Sequence, residues 1–384
     1  WQKDRERLLF QIQDREQTFL DLCVVVPGEM TPRRWFRETT GAWVESHGEP
    51  EWLGDGSFLW QSSRDGTLQL YRYDGEGTLV KPLTHGPGEV RSIVKIDEER
   101  GELWVSATFD SRVETHTYRI DLASGARTRV TEAGWNHSTR VSPDGEYLID
   151  FASTAGRPIR IALIDREGKR RQLIDPNLPD RLSSVRIREP ESLQVAAPDG
   201  HLLDAQIIRP YDFDPNRKYP VLIHVYSGPQ APTVRNSWGG TTYLWHQYLA
   251  QQGVIVWMCD NRSATQASAA DAWPIHRNLG RNELVDIEVG IDWLVANAQA
   301  DPDRIGIWGW SYGGYMSAYA LTHSTKFRLG IAGAPVTDWR HYDTIYTERY
   351  MGLPQTNEQG YRESSVVAAA GNLHGHLLLI HGSM

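Results

Sequence analysis

Only two cysteines occur in the 384 residues, Cys23 and Cys259, far apart in separate apolar, strand-like runs. Thiols placed this way read as buried packing residues rather than as a disulfide. No apolar run approaches the ~18 residues that a membrane-spanning helix needs; the longest are short stretches such as 22–26. Positive charge is in deficit: 40 Lys and Arg against 49 Asp and Glu leave a net charge of -9. That balance argues against a nucleic-acid surface or an anionic-membrane surface. Low complexity is absent too, since 40% hydrophobic and 23% charged residues are an ordinary globular mixture. No signal-peptide pattern opens the sequence, which starts at Trp1 and stops at His381-Gly382-Ser383-Met384. It is therefore expected to be a piece of a longer chain, truncated at both ends.

Tryptophan is abundant, with fifteen residues, which suits a fold with many aromatic-lined sheets. Residues 1–180 read as short strands between turns. In Leu103-Trp104-Val105-Ser106-Ala107 the first, third and fifth residues share a face, the period of a half-buried strand. Leu68 to Tyr73 is looser, with Leu68 and Leu70 on one face and Tyr71 and Tyr73 on the other. Asp55-Gly56, Asp65-Gly66, Asp74-Gly75 and Asp144-Gly145 read as hairpin turns, because Asp and Gly tolerate positive φ.

This region also repeats. A closing strand ends at Thr40, Thr84 and Thr131, and a fourth copy ends at Leu173-Ile174, with spacings of 44, 47 and 43 residues. Each copy carries about four strand signals, for instance 101–108, 114–121, 127–131 and 138–141. Four strands per forty-odd residues is the arithmetic of a β-propeller blade, so about four blades of a partial propeller are expected. A β-sandwich with coincidental spacing is the other reading.

A polar linker is expected at 181–190. From 191 to 384 the pattern becomes apolar strands alternating with helices, after an opening hairpin through Pro198-Asp199-Gly200. Strands fall at 220–226, 254–259, 305–308, 329–333 and 377–380, and the helix at 282–298 puts Leu284, Ile287, Ile291, Leu294 and Val295 on one face. Such alternation implies a parallel sheet covered on both sides.

The most informative stretch is Trp308-Gly309-Trp310-Ser311-Tyr312-Gly313-Gly314. A buried strand leads into this Gly-x-Ser-x-Gly and a helix-forming run follows, the context of a nucleophile elbow. Ser311 is the candidate nucleophile, and the backbone N–H of Tyr312 at the helix start can face a developing oxyanion. A second donor is expected after the third strand of this domain, where the Tyr226 hydroxyl stands. From the residues alone, Tyr226 reads equally well as a packed aromatic.

The run from Trp308 to Tyr315 resembles the nucleophile signature of the prolyl oligopeptidase family, and of its dipeptidyl peptidase IV branch in particular. Ala334-Pro335-Val336 with Trp339, and the long run from Tyr342 to Pro354, carry the same resemblance. So do Gly48-Glu49-Pro50-Glu51-Trp52 and Ser62-Ser63-Arg64-Asp65-Gly66 in the first region. The resemblance implies an α/β-hydrolase domain capped by a β-propeller, releasing N-terminal dipeptides with Pro or Ala second. It implies an acyl-enzyme on Ser311, an oxyanion hole from the Tyr312 N–H and Tyr226 hydroxyl, and a proline-ring site from Tyr312, Val336, Trp339, Tyr342 and Tyr346. Read without the family, those aromatics could equally be core. The implied partners are peptide substrates, with a homodimer open for the full-length protein, no nucleic acid and no membrane segment in this chain. No cofactor or metal is implied; His374, His376 and His381 form only a loose cluster without Cys or carboxylate partners. Relatives are commonly periplasmic, secreted or membrane-tethered.

Three departures stand out. Asn261-Arg262-Ser263-Ala264-Thr265 replaces a glycine-rich turn, which puts that loop's geometry in question. Arg340-His341 stands where relatives tend to have Glu-Tyr. Most importantly, the family's acid and histidine follow the strand at 377–380, and neither is found before Met384. His381 precedes the acid position and reads as a turn residue, so the 384 residues alone are expected to be inactive and to expose apolar sheet edges. Glu98-Glu99, a tempting match to the family's amine-binding pair, reads instead as a solvated turn. Two other functions stay open: an endo-acting or acylaminoacyl oligopeptidase of the same family, and a pseudo-hydrolase whose propeller is a binding module.

Overall fold

The computed structural model describes residues 6–29, 31–177 and 187–382. Both chain ends and most of the expected 181–190 linker lie outside the described residues. Four small antiparallel sheets come first. The first holds β1 (Leu8–Gln13), β2 (Leu20–Val25) and β3 (Arg33–Glu38). The second holds β4 (Glu51–Trp52), β5 (Phe58–Ser62), β6 (Gln69–Tyr73) and β7 (Leu79–Pro82). The third holds β8 (Val90–Asp97), β9 (Glu102–Ala107), β10 (His116–Asp121) and β11 (Arg127–Arg129). The fourth holds β12 (Asn136–Val141), β13 (Tyr147–Thr154), β14 (Arg157–Asp165) and β15 (Arg170–Asp175). Four propeller-like sheets match the expectation, with one correction of phase. Residues 138–141 do not close the third sheet but open the fourth as part of β12, while β8 opens the third. The repeating Thr marks a blade's last strand, so the strand after it already belongs to the next blade.

These sheets stack face on face, and the period-2 pattern sorts their side chains. In β5, Phe58 and Trp60 pack with Leu20, Leu22 and Tyr73 on one side, while Leu59 packs with Leu70, Leu103 and Val105 on the other. The same split puts Leu70 and Tyr71 of β6 into different clusters. Trp104, on the far side of the third sheet, packs against Leu148, Ala162 and Ile164 of the fourth. A sheet buried on both faces fills its alternate positions with two apolar sets rather than one, which is where the aromatics go.

The repeating threonine has a structural cause in two copies. The Thr84 hydroxyl accepts from Leu70 N at 2.9 Å, and the Thr131 hydroxyl accepts from Thr117 N at 3.1 Å, each fourteen residues upstream. Each hydroxyl satisfies a buried backbone donor where the outer strand ends. Thr40 differs, since its hydroxyl donates to Trp43 O and accepts from Ala42 N within its own turn. Three of the four Asp-Gly turns carry positive φ at the glycine, namely Gly56, Gly66 and Gly145. Asp74-Gly75 is the exception, because the left-handed residue there is Gly77 at φ 81°. The turn has three residues between Asp74 and Thr78, closed by Asp74 N donating to Thr78 O at 2.9 Å.

The second half is one seven-stranded sheet in the order β16-β17-β19-β18-β20-β21-β22. Its strands are β16 (Glu191–Ala196), β17 (Leu202–Ile208), β18 (Tyr219–His224), β19 (Ile255–Cys259), β20 (Ala300–Trp310), β21 (Leu329–Gly333) and β22 (His376–Ile380). The first two pair antiparallel, β17 pairs antiparallel with β19, and the remaining pairs are parallel. Helices α1 (Gly240–Gln251), α2 (Arg281–Asn297), α3 (Tyr312–His323), α4 (Thr344–Met351) and α5 (Glu358–Glu363) connect them. Strand β19 shows why its sequence is apolar throughout. Ile255, Trp257 and Cys259 join the main core with α2 and α3, while Val256 and Met258 join the cluster under α1. Both cysteines are free and buried. Among the described residues no helix is long and apolar enough to cross a membrane.

The two halves interlock. Trp43, from the loop after β3, lies in the main hydrolase core with its ring 4.8 Å from that of Tyr350. Arg15 forks onto Glu348 of α4 at 2.5 and 2.7 Å. At the other end Arg112 pairs with Asp204 at 2.7 Å.

Candidate active site at the strand-to-helix elbow

Ser311 sits between β20 and α3 with φ 59° and ψ -114°. A non-glycine residue there stores roughly 1–3 kcal/mol of backbone strain, which its surroundings must hold in place. They do so through bonds on both sides: Ser311 N donates to Gly333 O at 2.8 Å, and Ser311 O accepts from Tyr315 N at 2.9 Å. The motif glycines serve a different purpose from turn glycines. A Cβ on Gly309 or Gly313 would stand 2.3 or 2.2 Å from the Val225 carbonyl oxygen, so only glycine lets the elbow press against the end of β18. The residue after Val225 is Tyr226, so the same contact sets Tyr226 beside the elbow. Its ring lies 6.2 Å from that of Tyr312, and its side chain is partly exposed.

Tyr312 opens α3, where the backbone N–H groups of a first helical turn lack intrahelical acceptors. Its hydroxyl is turned into the core and donates to Glu283 Oε1 at 2.6 Å. Glu283 Oε2 accepts from Gly280 N at 3.0 Å, capping α2. Burial pushes the Glu283 carboxyl up to about 7, against the Tyr312 and Gly280 hydrogen bonds that favour its charge. The Tyr312 phenol is held well above its usual value by burial first and then by the Glu283 carboxylate.

The aromatic residues expected for the substrate ring come together in one cluster. The Trp339 ring lies 5.4 Å from Tyr312, 5.8 Å from Tyr342 and 6.1 Å from Tyr346, the last stacked. Tyr342 and Tyr346 meet edge to face at 5.6 Å. Trp339 is 1% exposed and Tyr342 44%, so the cluster runs from a buried floor to an open rim. Val336 is partly buried against the same core. Arg340 turns back onto Asp338, with Nε at 2.9 Å and Nη2 at 2.5 Å from its two oxygens.

Several residues here escape sequence reasoning. Glu283 was legible only as a hydrophilic position on an amphipathic helix, although Gly280-x-x-Glu283 is the spacing of a capping box. Asp338 caps the short turn that carries Trp339, accepting from Arg340 N at 3.0 Å. Gln17 clamps α4, the helix of Tyr346, by donating to Ile345 O at 2.6 Å and accepting from Arg349 Nε at 2.7 Å. No local pattern announces a contact between residues 17 and 345. The departure at Asn261 is accommodated because its φ of -65° needs no glycine. Arg262 then locks the loop by forking onto Asp286 at 2.9 Å with both nitrogens and reaching Asp199 at 2.6 Å.

Among the described residues no side chain hydrogen-bonds the Ser311 hydroxyl. His381 is exposed and contacts only Gly382 O at 3.1 Å, and His374 meets Arg328 at 2.8 Å. Glu98 and Glu99 lie in an exposed turn, where Glu98 accepts from Gly54 N at 2.5 Å. Among the described residues strand β22 pairs with β21 alone, and Leu378, Leu379 and Ile380 are exposed on it.

Comparison with known proteins places both halves. The prolyl oligopeptidase family profile matches residues 241–384, and the profile of the dipeptidyl peptidase IV (DPP IV) N-terminal region matches residues 1–159. Human dipeptidyl peptidase 8 is 31% identical over 425 aligned positions, covering 98% of this chain and 47% of its own length. Dipeptidyl peptidase 4 of Trichophyton equinum is 29% identical, covering 98% of this chain and 50% of its own. The crystal structure of Porphyromonas gingivalis dipeptidyl peptidase 4 superposes with a TM-score of 0.91 at 30% identity, over 98% of this chain and 54% of that one. A putative dipeptidyl aminopeptidase IV from Bacteroides ovatus ATCC 8483 gives 0.89 at 29% identity, over 99% and 57%. The chain thus spans about half the length of the curated relatives it matches.

Proposed function

Since the chain belongs to the prolyl oligopeptidase family of serine peptidases, we propose that its full-length form releases N-terminal Xaa-Pro or Xaa-Ala dipeptides through an acyl-enzyme on Ser311. On this reading residues 1–180 are part of the propeller, 181–190 the linker and 191–384 the peptidase domain. The observation that carries it is the aromatic cluster of Trp339, Tyr342 and Tyr346 joined to the elbow through Tyr312. Flat aromatic walls suit a small, rigid, uncharged ring such as proline and disfavour long or charged side chains.

Ser311 Oγ attacks the carbonyl carbon of the second residue, and the Tyr312 N–H and Tyr226 hydroxyl stabilise the oxyanion that forms. Its collapse breaks the C–N bond to the third residue, which leaves as the new N-terminal amine. Val336 and the Tyr312 ring complete the wall of the ring site. The Glu283 bond holds Tyr312 by its far end, so the residue that offers the N–H is fixed from the core. The serine proton must pass to a base, and no imidazole among the described residues contacts it. The 384-residue polypeptide alone is therefore expected to turn over negligibly.

The test uses the full-length gene product and an Ala-Pro anilide, with and without an N-terminal block. Cleavage of the free-amine substrate, lost on blocking and abolished by Ser311→Ala, is the expected result. Equal cleavage of the blocked form would replace the dipeptidyl-peptidase reading by an endo-acting or acylaminoacyl one. No cleavage of either form would favour a pseudo-hydrolase.

A further inference from the structure

Tyr226 also lines a cavity of about 280 Å³ to which Trp339, Tyr342 and Tyr346 do not contribute. His224, Tyr226, Thr233, Arg235, Thr242 and His246 are among its lining residues. The volume falls just below the ~300–1,000 Å³ of a drug-sized ligand site, so it suits one residue's end rather than a long segment. Its walls are built in advance. Both oxygens of Asp260 accept backbone N–H groups of the roofing loop, from Thr233 and Val234 at 2.9 Å each. Asn236 fixes the next turn of that loop to the propeller by donating to Glu114 at 2.8 Å and accepting from Ala155 N at 3.0 Å.

The chemistry of the lining is unspent. His246 is 2% exposed and its imidazole makes no hydrogen bond among the described residues; its Nε2 is buried without a partner, as is His224 Nδ1. The two imidazoles lie 5.1 Å apart, and His224 stacks on Trp308 of the nucleophile strand at 4.3 Å. Burial lowers both, to about 4 for His224 and about 3 for His246, so each is a neutral N–H donor near pH 7. Arg235 is solvent-exposed at the cavity, and among the described residues it forms no ion pair and its guanidinium makes no hydrogen bond. Asp260, the nearby carboxyl, is pushed up to about 7 by burial and spends its oxygens on backbone, so it neutralises Arg235 only in part. Unpartnered buried donors such as these two imidazoles are costly, and with an unpaired, solvent-facing guanidinium lining the same cavity they complement a carboxylate.

Tyr226 is the wall shared by this cavity and the proposed acylation site. We infer that the cavity is a subsite for the carboxylate end of the peptide leaving group, held by Arg235 with His224 and His246 as neutral donors. This rests on the reading of Ser311 as nucleophile, and it makes short peptides with a free C-terminus the preferred substrates.

The test compares Ala-Pro-Ala as the free acid, Ala-Pro-Ala amide and Ala-Pro anilide on the full-length protein. The acid is expected to show a kcat/KM about tenfold above the amide, a difference of ~1.4 kcal/mol. Arg235→Met should erase that ratio and leave the anilide rate unchanged, and His246→Asn should reduce it in part. Equal rates for acid and amide in the parent protein, or an equal loss on all three substrates in Arg235→Met, would overturn the subsite. Should the anilide prove inert, the peptidase reading fails by itself. Calorimetric binding of the acid against the amide to Ser311→Ala protein still decides the subsite: tighter binding of the acid, lost in Arg235→Met, supports it, and equal binding overturns it.

Discussion

An open turn of the propeller-like half and the elbow of the hydrolase half use the same residue types for opposite ends. In the small sheets, positive φ falls on turn glycines such as Gly134, at φ 80° with no atom within 4 Å of a would-be Cβ. In the elbow, the motif glycines crowd against the Val225 backbone, and the positive φ falls on Ser311 itself. At the open turn glycine relieves strain; at the elbow it permits a close approach while the reactive residue carries the strained backbone. Aromatics divide likewise. Phe58 and Tyr73 fill the gap between blades with stacked rings 5.2 Å apart, whereas Trp339, Tyr342 and Tyr346 grade from buried to open.

The largest contrast to break is therefore between glycines. Gly313→Ala places a methyl 2.2 Å from Val225 O and must move the elbow or the end of β18. It should cost the fold at least ~1–3 kcal/mol and lower kcat/KM in the full-length protein by about 10²-fold or more, since displacing a reactive group by ~1 Å suffices. Gly134→Ala pays only the left-handed backbone penalty of ~1–2 kcal/mol, with kcat/KM unchanged. Thermal melts and anilide kinetics on both variants check the pair; similar activities would erase the distinction.

The second contrast is electrostatic. The buried Glu283 carboxyl titrates in the folded state at about 7, against ~4.3 when unfolded. Between those values the folded state holds the extra proton, so this residue's stabilising share is present below pH ~4.3 and is lost as pH rises towards 7. The difference amounts to roughly 4 kcal/mol. Glu283→Gln should flatten the fall in urea midpoint between pH 5 and 7.5, although Asp260, also raised to about 7, leaves a residual slope. An unaltered slope in the variant would show that Glu283 is charged throughout.

Where the halves meet, the effect is smaller. Gln17, 4% exposed, holds both ends of its amide on α4. Gln17→Ala should cost ~1–2 kcal/mol, about what two modest hydrogen bonds contribute. It should also raise KM for Ala-Pro substrates several-fold with kcat nearly kept, because Tyr346 rides on that helix. A loss in kcat with KM unchanged would mean that α4 acts on the elbow rather than on the ring site.

What was legible in the sequence follows the range of the interactions. The elbow was readable because its strand, its glycines, its serine and its helix are contiguous, and the blades because turns and strands recur at a fixed interval. The blade phase was not, since Arg129 and Asn136 lie seven residues apart in sequence and on different sheets in space. Glu283, Asp338 and Gln17 act across 29, 27 and 328 residues, on Tyr312, Ser365 and Ile345 respectively. Periodicity carries no record of such pairs. The His224–His246 cavity escaped for the related reason that each histidine alone reads as an ordinary core residue.

The smallest contrast lies inside the repeat itself. Thr84 and Thr131 look equivalent to Thr40 in sequence, yet only the first two place their hydroxyls on a buried backbone donor of the neighbouring strand. Thr84→Val keeps the shape and leaves Leu70 N without that acceptor, which should cost ~1–2 kcal/mol. Thr40→Val removes bonds confined to a partly exposed turn, and water can replace them, so a few tenths of a kcal/mol is expected. Parallel thermal melts of the two variants would separate them by several degrees. Equal shifts would mean that the repeated threonine is a remnant of the period rather than the bond that ends each blade.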